Sequence, residues 1–517
     1  MPLKVHRRSL PFAVDLAAVV DAVDGDTEGD VSFLLESQQP GVVGVTSSTL
    51  MTAASVRVEG RGHAVVLYAL DANGERLLVD VARALASHVV SRDAVQLDLA
   101  FAAPSVELDD EQRLLAAGPL DVLRTLRAML GNVGLPLFLQ VNFEAYAAFD
   151  NSVGLRGDPD VQKPSVDDGA DFVAFVPRQV LRCDGATTTV TSTSAADVRR
   201  ALQLLETRPV APEMRLSVAA SPSVDVDVDD AEFAARVRRV QEHIVAGDVF
   251  QTVVSRTFST PCTSPLAAYL ALRASNPGPH HFFLRTSTTT LLGASPETAV
   301  NVAPSAEGLQ MSVFPIAGTR RRGQSREEDE RLESDLRTDP KEQAEHQMLV
   351  DLARNDVARL AVPGTRTVAR HMQVERFARV MHLVSVVRGV LRPEFDALHT
   401  IPAAMFAGTL IGAPKPRAAE LVAEIEQRRR GPYGGGIGVV LPDGGLDLAI
   451  VIRAALVREG VAYVQAGAGV VHDSDPLAEA QETQHKAAAV IDACAAVEVT
   501  SPARSVTPSK ANMRGAA

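Results

Sequence analysis

The sequence predicts an α+β fold, and three observations carry that reading. The alternating and wholly apolar segments mostly follow one another instead of taking turns with helices in a βαβ series. The helices between them have recognisable caps. Of the 517 residues, 46% are hydrophobic and 22% charged, the balance of a chain with a large core and room for two to four domains or one unusually large body.

Residues 1 to about 205 mix alternating stretches such as Ala64 to Tyr68 with helix-like ones such as Gln112 to Leu130, and show little chemistry. Pro, Ser, Val and Asp dominate from Pro209 to Asp230, with Val and Asp alternating over 224–229, as in a linker or an edge strand. The main boundary is placed there. It separates an N-terminal region at 1–208, holding any effector site, from a catalytic region at 231–495. Residues 501–517 have almost nothing to bury and are expected to form a disordered tail.

The second half is more explicit. Phe233, Val237, Val240 and Ile244 recur at helical spacing in a helix over Asp230 to Ala246 that Gly247 can close, and a strand follows from Val249 to Phe258. Asp339 as N-cap, Pro340 at the first position and Glu342 as the carboxylate of a capping box start a helix that runs to about Leu360. A third helix follows Asp475 and Pro476 and ends near Ala495. Strands are expected at Thr289 to Ala294, Leu309 to Pro315, Met381 to Val390, Ile437 to Leu441, Leu446 to Leu456 and Ala462 to Ala466.

Charge and cysteine usage exclude several classes. Acidic residues outnumber basic ones by 64 to 51, a net charge of -13, which argues against a nucleic-acid or anionic-membrane partner. The three cysteines, Cys183, Cys262 and Cys494, are widely separated and lack the glycine-flanked turn that exposes a nucleophile. This excludes a disulfide framework, a thiolate zinc site and a built-in cysteine hydrolase. There is no apolar run of the roughly 20 residues a bilayer requires, and no leader cleavage site, so the expected location is cytoplasmic.

At 100° per residue Glu342 and Glu345 fall on the stripe of Leu349, Leu352, Ala353 and Leu360, and Glu479 and Glu482 share a side with Lys486, Ala489 and Ala493. Inward-facing carboxylates are costly unless paired or bound to a cation, and four of them at i,i+3 on two helices suit a hard divalent ion such as Mg²⁺. From spacing alone it is also open that Glu342 only caps its helix and Glu482 only pairs with Lys486. Gly318, Gly408, Gly412, the run 434–436, Gly467 and Gly469 could bring backbone N–H groups to an anion, or simply make turns. Arg453, in the apolar run LDLAIVIRAAL, needs an anionic partner, either structural or a ligand carboxylate. His399, one of 12 histidines, precedes the 408 glycine loop.

Taken in order over about 230 to 494, DPKEQAEHQMLVDLARND, PIAGTRRRG, MHLVSVVRG, GTLIGAPKPRA, RRRGPYGGGIG, AIVIRAAL and QAGAGVVHDSDPLAEAQET resemble the motifs of the chorismate-utilising enzymes, above all the anthranilate-forming component I branch. That resemblance implies an αββα sandwich: two packed antiparallel β-sheets flanked by helices, with the N-terminal part woven into the same body. It implies Mg²⁺ bridging the ring carboxylate of chorismate to Glu345 and Glu482, with Glu342 and Glu479 in support. Arg453 and Tyr433 would hold the enolpyruvyl carboxylate, with Gly318, Thr319, Gly467, Ala468, Gly469 and Lys486 around the ligand. His399 would assist departure of the C4 hydroxyl while ammonia adds at C2, beside Thr409 and the loop carrying Lys415.

Ala317 and Gln251 stand where other branches of the family have lysines, which implies ammonia as nucleophile. Ammonia would come from a separate glutamine amidotransferase subunit, hence a hetero-oligomer. Of the family's tryptophan effector site, Ser37, Asn276 and Pro279 remain, while His280 and His281 replace its Tyr-Met pair. Ile411 stands where the family has Ser or Thr, and VNFEAYAAFD lacks its Gly-Gly pair. Such drift suits a paralogue in a specialised pathway with weak or absent tryptophan inhibition. The expected activity is therefore an Mg²⁺-dependent anthranilate synthase large subunit. The alternatives are an enzyme that stops at 2-amino-2-deoxyisochorismate and a silent chorismate or tryptophan binder that regulates a partner.

Overall fold

The computed structural model describes residues 3–23, 31–38, 45–105, 107–149, 169–207, 209, 223–377 and 380–495; the expected tail at 501–517 and most of the 209–230 stretch lie outside them. The capped helices form where the caps place them. Asp229 accepts a hydrogen bond from the Glu232 N–H to start Asp230–Ala246, and Gly247, at φ 83°, returns its N–H to His243 and Ile244. Asp339 accepts from the N–H groups of Lys341 and Glu342 to start Pro340–Leu360, and the third helix spans Pro476–Ala495. Two long segments break. The 112–130 stretch divides into Asp110–Leu115 and Leu120–Gly131, because Gly118 and Pro119 interrupt it. The 446–456 run divides into Leu446–Ile450 and Ala454–Arg458, with Arg453 at φ 50° between them.

The strands form two antiparallel sheets. One runs, edge inward, through Asp225–Val226, Gln251–Pro261, Val461–Val470, Ala454–Arg458, Thr290–Ser295, His280–Arg285 and Ser32–Ser37 to Ser47–Arg61. The alternating Val and Asp residues thus supply an edge strand. The other sheet runs from Phe172–Cys183 through Leu137–Val141, Gly436–Val440, Leu446–Ile450, Thr298–Ser305 and Gly308–Val313 to Val380–Val390, which also pairs with Ile316–Arg321. Ser47–Arg61 and Phe172–Cys183 pair along their length and serve both sheets, with register shifts between Met51 and Val56 where they turn from one to the other. Strands from before and after the 209–230 stretch therefore share each sheet.

Between the sheets lies one apolar cluster that includes Phe33, Phe138, Phe282, Ile437 and Leu448. Each such ring withdrawn from water contributes about 1.5–3 kcal/mol. A second cluster on the outer face of the first sheet joins Tyr269 and Leu272 to Ala487, Val490 and Ile491, so the 476–495 helix lies outside that sheet. The 340–360 helix packs on the strands at 316–321 and 380–390. No helix among the described residues is long and apolar enough to cross a membrane.

A buried ion pair ties the 415–426 helix to this body. Glu426 accepts from the Ser255 N–H (2.7 Å) and hydroxyl (2.8 Å) and from Arg430 Nη2 (2.6 Å), while Arg430 also donates to the carbonyls of Leu410 and Val253. Glu426→Ala leaves a buried guanidinium uncompensated, so chemical denaturation should show a loss of about 3–5 kcal/mol.

Candidate functional site

Leu349, Val350, Ala353, Val357 and Leu360 seat the 340–360 helix, and its first turn, with Glu342 and Glu345, projects beyond that apolar contact. The carboxylates therefore stand at the margin of the packed face instead of entering the core: the side chains of Glu342 and Glu482 are 22% and 48% exposed. Glu345 is more enclosed. Burial, then the negative charges of Glu342 and of Glu482 from the other helix, push its pKa up, against Lys341 and Lys486. Glu479 is raised by burial and by Glu482, with a Ser474 hydrogen bond opposing. Helices more than a hundred residues apart thus present carboxylates to one another. Among the described residues no three ligating side chains converge into a ready cage.

Glu342 does not close a capping box. Its carboxylate accepts from Arg320 Nη1 at 2.9 Å, and the same guanidinium reaches Asp335 and Asp339. Glu482 does pair with Lys486, at 2.5 Å, and Lys486 Nζ donates onward to the Gly467 carbonyl at 3.0 Å. That second bond links the carboxylates to the glycine-rich backbone of 467–469.

The break at Arg453 determines where its side chain can go. Its guanidinium has no hydrogen bond or ion pair among the described residues, and burial lowers its pKa against the attraction of Tyr433, Glu482 and Glu297. Burial pushes the Tyr433 phenol up to about 12, and the Gly467 backbone bonds to it. A Cβ at Gly467 would lie 2.8 Å from Tyr433 Oη, and one at Gly469 would lie 2.9 Å from Gln251 Nε2, so both glycines permit close approach. Ala468 between them is fully buried. Gln251 Oε1 is buried without a partner among the described residues. Gly318, at φ 75°, brings the 316–321 strand against Glu342, and Thr319 Oγ1 lies 3.0 Å from His382 Nδ1.

Two residues that sequence reasoning did not single out belong to this cluster. His382 Nδ1 faces the Gly318 carbonyl at 3.1 Å, and burial, then Arg453, keep its pKa low. Glu297 is 7% exposed and accepts from Thr409 Oγ1 at 3.2 Å. Burial raises its carboxyl to about 8, with Thr409, Arg453 and Lys486 opposing. An acid in LLGASPETAV and a histidine in the alternating MHLVSVVRG were the available signals.

His399 stands apart. Its Nδ1 lies 2.8 Å from Asp396 Oδ1 and accepts from the Asp396 N–H, while Asp396 is held by Arg124. The ring edge meets Phe395, its Nδ1 takes part in the cap of the 397–399 turn, and it makes no bond to another candidate among the described residues. Lys415 is likewise engaged, at 2.6 Å from buried Asp356.

The effector candidates do meet. Ser37 lies directly opposite His280, Pro279 accepts from the Gln38 N–H, and His281 Nε2 bonds to the Asn276 carbonyl at 3.0 Å. Ser37, His280 and His281 line a cavity of about 630 Å³ together with Glu36, which Tyr269 and Arg273 hold. Burial lowers His281 to about 4.

Residues 86–492 match the family described as chorismate binding enzyme. The chain is 41% identical over 513 residues to anthranilate synthase component 1 of Vibrio cholerae, covering 95% of this chain and 96% of the relative. It is 41% identical over 470 residues to the pyocyanine-specific anthranilate synthase component 1 of Pseudomonas aeruginosa, covering 87% of each. The crystal structure of anthranilate synthase component I from Streptococcus pneumoniae superposes with a TM-score of 0.65 at 28% identity, over 88% of this chain and 94% of that one.

Glu297 makes stability depend on pH. Its folded pKa lies above the ordinary 4.5, so the folded chain keeps a proton that the unfolded chain releases. That contribution is complete below the ordinary value and disappears as pH rises through about 8. Across this window the parent should lose stability relative to Glu297→Gln, whose amide does not titrate. Parallel denaturation profiles for the two proteins would count against the buried, protonated carboxyl.

Proposed function

The chain belongs to the chorismate-binding enzymes, and we propose that it is the large component of an anthranilate synthase, converting chorismate and ammonia to anthranilate and pyruvate. The observation that carries this reading is the unpaired Arg453 guanidinium beside the Tyr433 phenol and the 467–469 backbone, across from carboxylates of two helices. It is a place for a dianion with a cation between it and the protein.

Glu345 and Glu482 would hold Mg²⁺, with Glu342 and Glu479 behind them. The donors fit: all are carboxylate oxygens, and the repulsion that raises Glu345 is relieved by a divalent charge. A cation that retains waters and takes one or two carboxylates plus a substrate oxygen has no need of a complete protein cage. When bound, it would neutralise the ring carboxylate of chorismate.

Arg453 and Tyr433 then orient the enolpyruvyl carboxylate. Glu297, protonated near neutral pH, gives its proton to the departing C4 hydroxyl as ammonia adds at C2. In this reading Glu297 takes the proton donation that the resemblance gives to His399, and His382 takes the following step. With Nδ1 turned to the Gly318 carbonyl, its lone pair is on Nε2, which can accept the C2 proton as pyruvate leaves. Ammonia is supplied by a glutamine amidotransferase subunit, since the cysteines of this chain are all buried. Those free thiols also suit a cytoplasmic setting.

The purified chain should form anthranilate and pyruvate in equal amounts from chorismate, Mg²⁺ and an ammonium salt, lose this with a chelator, and form neither from glutamine alone. Consumption of chorismate without anthranilate would instead indicate arrest at 2-amino-2-deoxyisochorismate. His382→Gln should slow pyruvate release about 10²-fold or more, and by more than chorismate loss, whereas His399→Gln should stay within about threefold of the parent. Equal effects of the two would reject the assignment of His382.

At the effector pocket, His280 stands opposite Ser37 and the buried His281 opposite Glu36. Tryptophan is expected to inhibit weakly or not at all, and calorimetry showing tight binding would refute this.

A further inference from the structure

The geometry points to Arg256 as the positioning residue that aims the carboxylates of the 476–495 helix at the ligand, an inference that rests on the function proposed above. Arg256 lies in the Gln251–Pro261 strand and is 1% exposed. Its Nε donates to Thr483 Oγ1 at 2.8 Å and its Nη2 to the Ala480 carbonyl at 2.7 Å. Ala480 and Thr483 directly follow Glu479 and Glu482 in the chain. Nη1 reaches the Val228 carbonyl at 3.0 Å and Asp230 at 2.7 Å, and the guanidinium lies over Phe233 and Phe258.

A helix held to a sheet by apolar contacts resists being lifted away more than being turned about its own axis, because apolar packing has little directional preference. A planar guanidinium fixed in three directions supplies the missing constraint, and an ammonium could not. Thr483 completes it by donating to the Ala480 carbonyl at 2.7 Å.

The backbone of Arg256 joins the same circuit. It pairs opposite Ala466, and Ser255 pairs opposite Gly467. Gly467 accepts from Lys486, and Lys486 pairs with Glu482. The strand that places the 467–469 backbone is thus connected to the helix that places the carboxylates by two routes, one through Lys486 and one through Arg256. Arg256 touches no ligand. It fixes the separation between the two halves of the site.

The test titrates Mg²⁺ into the full chain by calorimetry with saturating benzoate as the ring carboxylate, and measures kcat and the Mg²⁺ requirement in the ammonium assay. Thr483→Val removes one of the bonds with little change in volume, Thr483→Ser restores it, and Arg256→Lys keeps only the charge. Thr483→Val and Arg256→Lys should need about 10–100-fold more Mg²⁺ while kcat at saturation stays within about threefold, with Thr483→Ser like the parent. Unchanged Mg²⁺ affinity in both variants, a fall in kcat that excess Mg²⁺ does not restore, or a parent that binds no Mg²⁺ would overturn the assignment. If the parent lacked ammonium-dependent turnover, the functional reading would fail on its own, because calorimetry reads the alignment without it.

Discussion

Like charges from two helices, held close together at the margin of the core, set the character of this site. Glu345 is enclosed enough that Glu342, and Glu482 from a separate helix, raise its pKa, and such an arrangement is unfavourable unless something positive comes between. The surroundings compensate only in part. Arg320 takes Glu342 and Lys486 takes Glu482, but Glu345 has neither partner, and Arg453, the nearby cation with no partner of its own among the described residues, faces Tyr433 and Glu297 as well. The protein leaves the negative charge of Glu345 and the positive charge of Arg453 without a partner of their own among the described residues. Ground-state stability is given up at this place, and a ligand with the opposite pattern recovers it.

Holding that arrangement requires a rigid frame, and the sheets supply it. Gln251, the 467–469 backbone and Arg453 belong to the first sheet or its turns, whereas Gly318, Thr319 and His382 belong to the second. The site is therefore built where the ends of two sheets meet, and any slippage between them would open it. Ser47–Arg61 and Phe172–Cys183 run through both sheets and prevent this, so the N-terminal residues, which contribute little chemistry, position everything that follows.

What the sequence made legible was local. Gly247, and Asp339 with Pro340, mark helix ends because a cap bonds to residues two to four positions away. The carboxylate stripes followed from the helical period, and their meeting was an expectation that the resemblance supplied. The breaks at Gly118-Pro119 and at Arg453 were less visible: an apolar run such as LDLAIVIRAAL does not reveal a left-handed residue in its middle. The two strands that serve both sheets were not legible at all, since their bends arise from register shifts against partners more than a hundred residues away. His382 illustrates the same limit, because it reaches the cluster by pairing opposite Thr319, 63 residues away in the chain.

One cause, loss of water, prepares Glu297 and His382 in opposite senses. Burial disfavours whichever form is charged, so the carboxyl retains its proton up to about 8 while the imidazole stays free of a second one. Near neutral pH both are uncharged, one able to give a proton and the other able to take one. Arg453 acts on them in opposite directions, drawing Glu297 toward ionisation and holding His382 neutral. A substrate carboxylate that neutralises Arg453 would weaken both influences, leaving Glu297 more firmly protonated and His382 more basic. Binding of the enolpyruvyl group would then strengthen the base needed to release it while securing the proton needed for the step before.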